Sequence, residues 1–193
     1  MSTSIEGERF IDTPKIIRRF TGVGRRLADF DRCTPYTWPM LLTRTANVSD
    51  AALITSHRRA MFAAMGGYEE AVLNAVESAS GPWTARMLEA GKYVGWITED
   101  QGRAVASAGM LILDWAPHAL DPAGENRAYV LNIFVEAEYR RLGLARALVE
   151  LCLAEARRRG IRVVSLHASR EGVPLYEGLG FKTTNEMLFR FPD

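Results

Sequence analysis

Between Tyr129 and Arg146 the chain reads YVLNIFVEAEYRRLGLAR, and no other stretch narrows the fold as much. Tyr129 to Val135 is apolar on both faces apart from Asn132. That predicts a strand buried in the middle of a mixed sheet, because a strand with one wetted face alternates instead. Leu144, Leu148, Leu151, Cys152 and Ala156 then recur at helical spacing, with Glu150, Glu155, Arg157 and Arg158 off the stripe, so Leu144 to Arg159 predicts an amphipathic helix. Arg157, Arg158 and Arg159 complement its negative end and Gly160 stops it. Val163 to Ala168 predicts a second apolar strand, and strand, helix, strand in this order implies a right-handed parallel crossover.

The corner between the first strand and the helix carries chemistry of its own. A helix start presents unpaired N–H groups and a partial positive charge, both suited to a phosphate or pyrophosphate. Here Gly143 and Ala145 leave those amides open, and Arg140 and Arg141 add charge-assisted donors. Taken alone, the six residues Arg140 to Ala145 read better as a solvated basic loop before an ordinary helix.

The remainder of the chain bounds the class. With 193 residues, 48% of them hydrophobic, one globular domain with a sizeable core is expected. A formal net charge of +1 gives no general reason to expect a nucleic-acid or anionic-membrane partner. Cys33 and Cys152 have no metal-ligand spacing, nor do His57, His118 and His167, so no metal is expected. Cys152 sits in the apolar helical stripe, where a reduced thiol packs like a small hydrophobe and fits a cytoplasmic protein. The most apolar later run, Ala104 to Leu113, is too short to span a bilayer.

Residues 1–39 carry a net charge of +2 and no sustained apolar period, so they read as an extension to a domain covering 40–193. A tail, a docking arm and sequence upstream of a start at Met40 are the three readings of it. Leu41 to Thr43 predicts a first strand. Asn47-Val48-Ser49-Asp50 supplies capping residue types before a helix that Gly66-Gly67 ends. A second helical segment over Glu69 to Glu89 comes in one or two pieces, because Gly81-Pro82 falls inside it. Lys92 to Glu99 and Ala104 to Trp115 flank Asp100-Gln101-Gly102 and predict a hairpin. After the crossover, Val173 to Leu179 predicts a short helix, and Phe181 to Phe189 a closing hairpin.

Company turns the corner from ordinary to specific. The buried strand, the amphipathic helix, the parallel strand and then PLYEGLGF at Pro174 to Phe181 together resemble the GNAT superfamily of N-acetyltransferases. The resemblance is specific from Tyr129 to Phe181 and does not cover residues 1–39. It implies an α/β (α+β) fold with a mixed, mostly antiparallel sheet, flanking helices, and a parallel, splayed pair formed by the domain's fourth and fifth strands. It also implies acetyl-coenzyme A as co-substrate and an acyltransferase reaction on a primary amine of a small molecule or peptide. A homodimer is compatible with it. The backbone amides of Arg140, Arg141, Leu142, Gly143, Leu144, Ala145 and Arg146 would hold the pyrophosphate, and the edge at Phe134 and Val135 the pantetheine arm. Ser169 stands where many relatives place an asparagine for that arm, and Ala137 where they often have proline.

The resemblance further implies Tyr176 as the acid that protonates the departing thiolate. Read from the residues alone, Tyr176 is either that acid or a core tyrosine with a bonded hydroxyl. Asn132 either orients the substrate or is a buried amide satisfied by backbone. No motif assigns a base, and Glu99, Glu136 and Glu171 read as solvated carboxylates. The helices from Val48 to Gly91 and the loop from Trp115 to Asn126 would wall the acceptor pocket. A non-catalytic acyl-coenzyme A sensor shares every feature except the need for Tyr176; a P-loop nucleotide module lacks its Lys and Ser/Thr.

Overall fold

The computed structural model describes Lys15–Ile16 and residues 41–191. Most of the 1–39 extension therefore lies outside the described residues, as does Cys33. Its described piece, strand β1 (Lys15–Ile16), pairs antiparallel with β2 (Leu41–Thr45), Ile16 facing Leu42. Strands β3 (Tyr93–Asp100), β4 (Arg103–Asp114), β5 (Asn126–Val135) and β6 (Val164–Leu166) follow in chain order across one six-stranded sheet. Every pairing is antiparallel except β5 with β6, which is parallel. Counted from Leu41, β5 and β6 are the fourth and fifth strands that the crossover predicted. The hairpin between β3 and β4 turns on Gln101 and Gly102, whose φ values of 49° and 83° give the twist that matches two antiparallel strands.

Helix α1 (Ala51–Met65) begins where the sequence places it. The Asn47 side chain accepts from the Ser49 amide at 2.9 Å, and the Asp50 carboxylate accepts from the Asn47 amide at 2.8 Å, a reciprocal cap that satisfies orphan donors. Helix α2 (Glu70–Glu89) is a single piece with Pro82 inside it. Helix α3 (Leu144–Arg158) buries Leu144, Leu148, Val149, Cys152 and Ala156 against Val105, Met110, Ala128 and Val130 of the sheet. Cys152 is fully buried, and burial pushes its thiol up to about 12, so it packs as a hydrophobe. Helices α1 and α2 cover the other face, where Trp83 meets Tyr93 edge-on at 6.5 Å and His57 tilts against Phe134 at 4.6 Å.

One expected element is missing. Residues 181–191 form no strand, and Met187, Leu188, Phe189 and Phe191 are exposed. A strand needs a neighbour's ladder to satisfy its backbone, and β6 offers only three residues. A cavity of about 630 Å³, lined by Val164, Leu166, Tyr176, Phe181 and Thr183 among others, lies between β6 and the start of this segment. Helix α4 (Val173–Glu177) is shorter than predicted and precedes it.

Candidate active site

The site is built on an irregularity in β5. Ser107 of β4 faces Phe134, but Gly109 faces Leu131, so β5 carries one residue more than its partner and bulges. Asn132 absorbs the extra residue with a φ of 56°, a left-handed conformation that asparagine tolerates better than a branched side chain. The bulge changes which face each side chain meets. Ala128 and Val130 belong to the core against α3, and Ile133 and Val135 pack on that same cluster, whereas Asn132 and Phe134 meet α1. Pairing with β6 stops at Val130, so from Leu131 onward that β5 edge has no strand beside it among the described residues. The two parallel strands splay from the bulge.

Asn132 is buried and its amide is used at both ends. Arg58 Nη1 of α1 donates to Oδ1 at 2.6 Å, and Nδ2 donates to the Tyr93 hydroxyl at 3.1 Å. Side chains therefore satisfy this amide, rather than the backbone alternative read from sequence. Tyr93 reaches the amide because Gly109 lacks a side chain; a Cβ there would stand 2.0 Å from the phenol oxygen. Burial pushes the Tyr93 phenol above its usual range. Beside this group, the Tyr129 hydroxyl hydrogen-bonds to His167 Nδ1 across the two strands where they begin to part.

At the far end of β5, a 3-10 turn over Ala137–Tyr139 leads into the basic corner. Arg141 and Gly143 have φ values of 67° and 81°, and Gly143 is the helix N-cap with no side-chain hydrogen bond serving the first turn. A side chain at Gly143 would strain that backbone. Arg140 and Arg141 are exposed and form no ion pair among the described residues; Arg140 Nε instead donates to the Val135 carbonyl at 3.1 Å. Arg146 donates to the Gly178 carbonyl at 3.3 Å, tying α3 to the end of α4. Leu144 anchors the corner in the core, while Leu142 is exposed. An uncapped helix start beside two guanidiniums without carboxylate partners is a donor set that fits a pyrophosphate.

Tyr176 projects from α4 into the wall of the cavity beside β6 and packs edge-on against Phe181 at 5.9 Å. Its hydroxyl makes no hydrogen bond to any described residue, and burial pushes its phenol above the ordinary range. Ser169 Oγ and its carbonyl both accept from the Gly172 amide, at 3.2 and 3.0 Å, and so start the turn into α4. Glu99 is held by Arg44 at 2.9 Å and belongs to the β2 and α1 junction. His57 is a core residue bonded to Ser107 at 2.9 Å, and its burial lowers the ring's proton affinity. Arg58, Tyr93, Tyr129 and His167 were not singled out from sequence as site residues. Arg58 had one legible signal, since Ile54, Arg58 and Phe62 recur at helical spacing on the stripe that faces the sheet.

Comparison with known proteins agrees with this geometry. Residues 59–181 match the acetyltransferase (GNAT) family profile. Human N-acetyltransferase 8 is 34% identical over 98 residues, which cover 49% of this chain and 40% of that protein; the match therefore spans less than half the length of that relative. A crystal structure of a GCN5-related N-acetyltransferase from Ralstonia eutropha JMP134 superposes with a TM-score of 0.75 at 33% identity, covering 78% of this chain and 98% of that one. A predicted acetyltransferase from Clostridium acetobutylicum, solved with acetyl-coenzyme A, gives 0.73 at 25% identity over 79% of this chain and 96% of that one. By its bulged, splayed sheet and these likenesses, this chain belongs to the GNAT acetyltransferase family.

Proposed function

We propose that the protein transfers an acetyl group from acetyl-coenzyme A to a primary amine of a small molecule or peptide, by direct attack in a ternary complex. Acetyl-coenzyme A supplies the acyl group activated as a thioester. The amides of Arg141 to Arg146, with the Arg140 and Arg141 guanidiniums, bind the pyrophosphate at the start of α3. The unpaired β5 edge from Leu131 to Val135 takes the pantetheine arm as an added strand, with Arg140 leaving the Val135 carbonyl for a phosphate, and Ser169 flanks that arm from the β6 side.

The observation that carries the proposal is the Tyr176 hydroxyl, half-buried and free of any described hydrogen-bond partner, a phenol that is protonated at neutral pH and that burial pushes further up. When the amine nitrogen bonds to the carbonyl carbon and the carbon–sulfur bond breaks, Tyr176 donates its proton to the thiolate. A backbone N–H on the free β5 edge steadies the transient oxyanion. The Tyr129 and His167 pair takes the proton that the acceptor ammonium sheds.

Tyr176→Phe tests this directly. The expected result is a fall in kcat of about 100-fold or more, the usual range for a lost general acid, with acetyl-coenzyme A affinity within about twofold of wild type. Unchanged turnover would remove Tyr176 from the mechanism. Cofactor binding without thiol release across a broad amine panel would favour a sensing module instead.

A further inference from the structure

The guanidinium of Arg58 stands beside Asn132 without a carboxylate partner among the described residues. It is half-buried on α1, stacks over Phe62 at 4.8 Å, and makes one described hydrogen bond, through Nη1 to Asn132. No carboxylate among the described residues lies within ion-pair distance of it. Its neighbours behave differently: Arg59 pairs with Glu70 and Glu77, and Arg44 with Asp50 and Glu99. The polar groups that do approach Arg58 are the Tyr93 and Tyr129 phenols, which are neutral near pH 7 and which burial pushes further up. Partial burial of a charge without a counter-ion is unfavourable, and desolvation accordingly lowers the Arg58 value.

Holding Asn132 in place needs one N–H, which a neutral amide donor supplies equally well. A guanidinium offers a planar fork of further donors, and none of the remaining ones is sealed away from solvent without a partner. They open at the bulge, where the β5 edge is released and the reacting carbonyl belongs in the proposed mechanism. In the proposed mechanism the cofactor's phosphates are served elsewhere, at the α3 corner beyond Val135, which leaves Arg58 available to a second anion.

Resting on the acetyltransferase reading of this site, we infer that Arg58 is the ligand for a carboxylate carried by the acceptor, which makes the acceptor an amino acid or another amine bearing an acid group. Asn132 orients the guanidinium, Phe62 backs its face, and the fork pairs with both carboxylate oxygens. The acceptor nitrogen is thereby turned toward the splay between β5 and β6.

The test separates binding from turnover. Protein loaded with coenzyme A is titrated calorimetrically with the free α-amino acids, β-alanine, 4-aminobutyrate and simple dipeptides, each beside its carboxamide. At least one acid is expected to bind about tenfold or more tightly than its amide, as a charge-assisted bidentate pair implies. Arg58→Gln is expected to erase that preference, with coenzyme A affinity showing that the variant is folded. Arg58→Lys, which keeps the charge and loses the fork, is expected to keep only part of it and decides the question should the glutamine variant not fold. If no acid in the panel is preferred over its amide, or if the preference survives Arg58→Gln, the inference is overturned. Thiol release from acetyl-coenzyme A with the same panel judges the transferase reading separately. Acid binding without thiol release sinks that reading and leaves the carboxylate site, whereas equal release with acids and amides does the reverse.

Discussion

Asn132 carries more of this site than any other single residue, and it does so through its backbone as well as its amide. Its left-handed φ of 56° is what turns Phe134 toward α1 and returns Ile133 and Val135 to the core. Asn132→Gly keeps that conformation and loses both side-chain bonds, so it is expected to preserve the fold while freeing Arg58. Asn132→Val should do worse. A branched side chain in this region costs about 1–2 kcal/mol, on top of the about 1–3 kcal/mol that both variants lose by leaving the buried Tyr93 hydroxyl without its donor. Urea unfolding of the two variants checks the order; a valine variant as stable as the glycine one would show that the bulge is not held by Asn132.

At the level of elements, two helix starts do different work. The first is structural. Arg44 Nη1 and Nη2 each reach Asp50 at 2.8 Å, and this pairing with the cap holds the Asp50 carboxyl below the ordinary carboxylate range. A carboxylate with a lowered folded pKa contributes stability that is present above its unfolded value, near 4, and is lost as pH falls through the folded one. Thermal unfolding should therefore weaken below about pH 4, and Asp50→Asn should flatten that dependence while lowering stability near neutrality by about 1–2 kcal/mol through the weakened cap. The second start, at Gly143, is left open. Gly143→Val places a branched side chain at a φ of 81° and over the amides assigned to the pyrophosphate. The expected outcome is loss of acetyl-coenzyme A affinity by about tenfold or more, read by calorimetry, with the α3 helicity retained in circular dichroism.

For the molecule as a whole, the sheet is continuous through β5, and β6 covers only the first part of that strand's edge, leaving the rest for the proposed cofactor. Acetyl-coenzyme A at about 100 times its Kd should stabilise the folded state by about 2.7 kcal/mol, visible as a raised thermal midpoint, whereas ATP at the same concentration should not. No helix among the described residues is long and apolar enough to cross a membrane. Much of this architecture was legible from periodicity. Leu144 to Ala156 marked α3 and its buried stripe, Asp100-Gln101-Gly102 marked the hairpin, and the apolar run to Val135 marked the central strand. The closing hairpin was misread because the residues from Phe181 to Phe189 do not say whether a partner edge is within reach. The basic corner and Tyr176 were recognisable as a pattern of residue types at fixed spacing, a one-dimensional property. Arg58, Tyr93 and the Tyr129–His167 pair were not, because they meet Asn132 or one another from 38 to 74 residues away and only through the register of β5. Sequence alone determined that a parallel crossover would start from a basic, glycine-containing corner, because strand, corner and helix are contiguous and their preferences local. Only the tertiary structure decided where the strand bulges, which face Asn132 meets and that Arg58 meets it without a described carboxylate, because each depends on how distant segments pack.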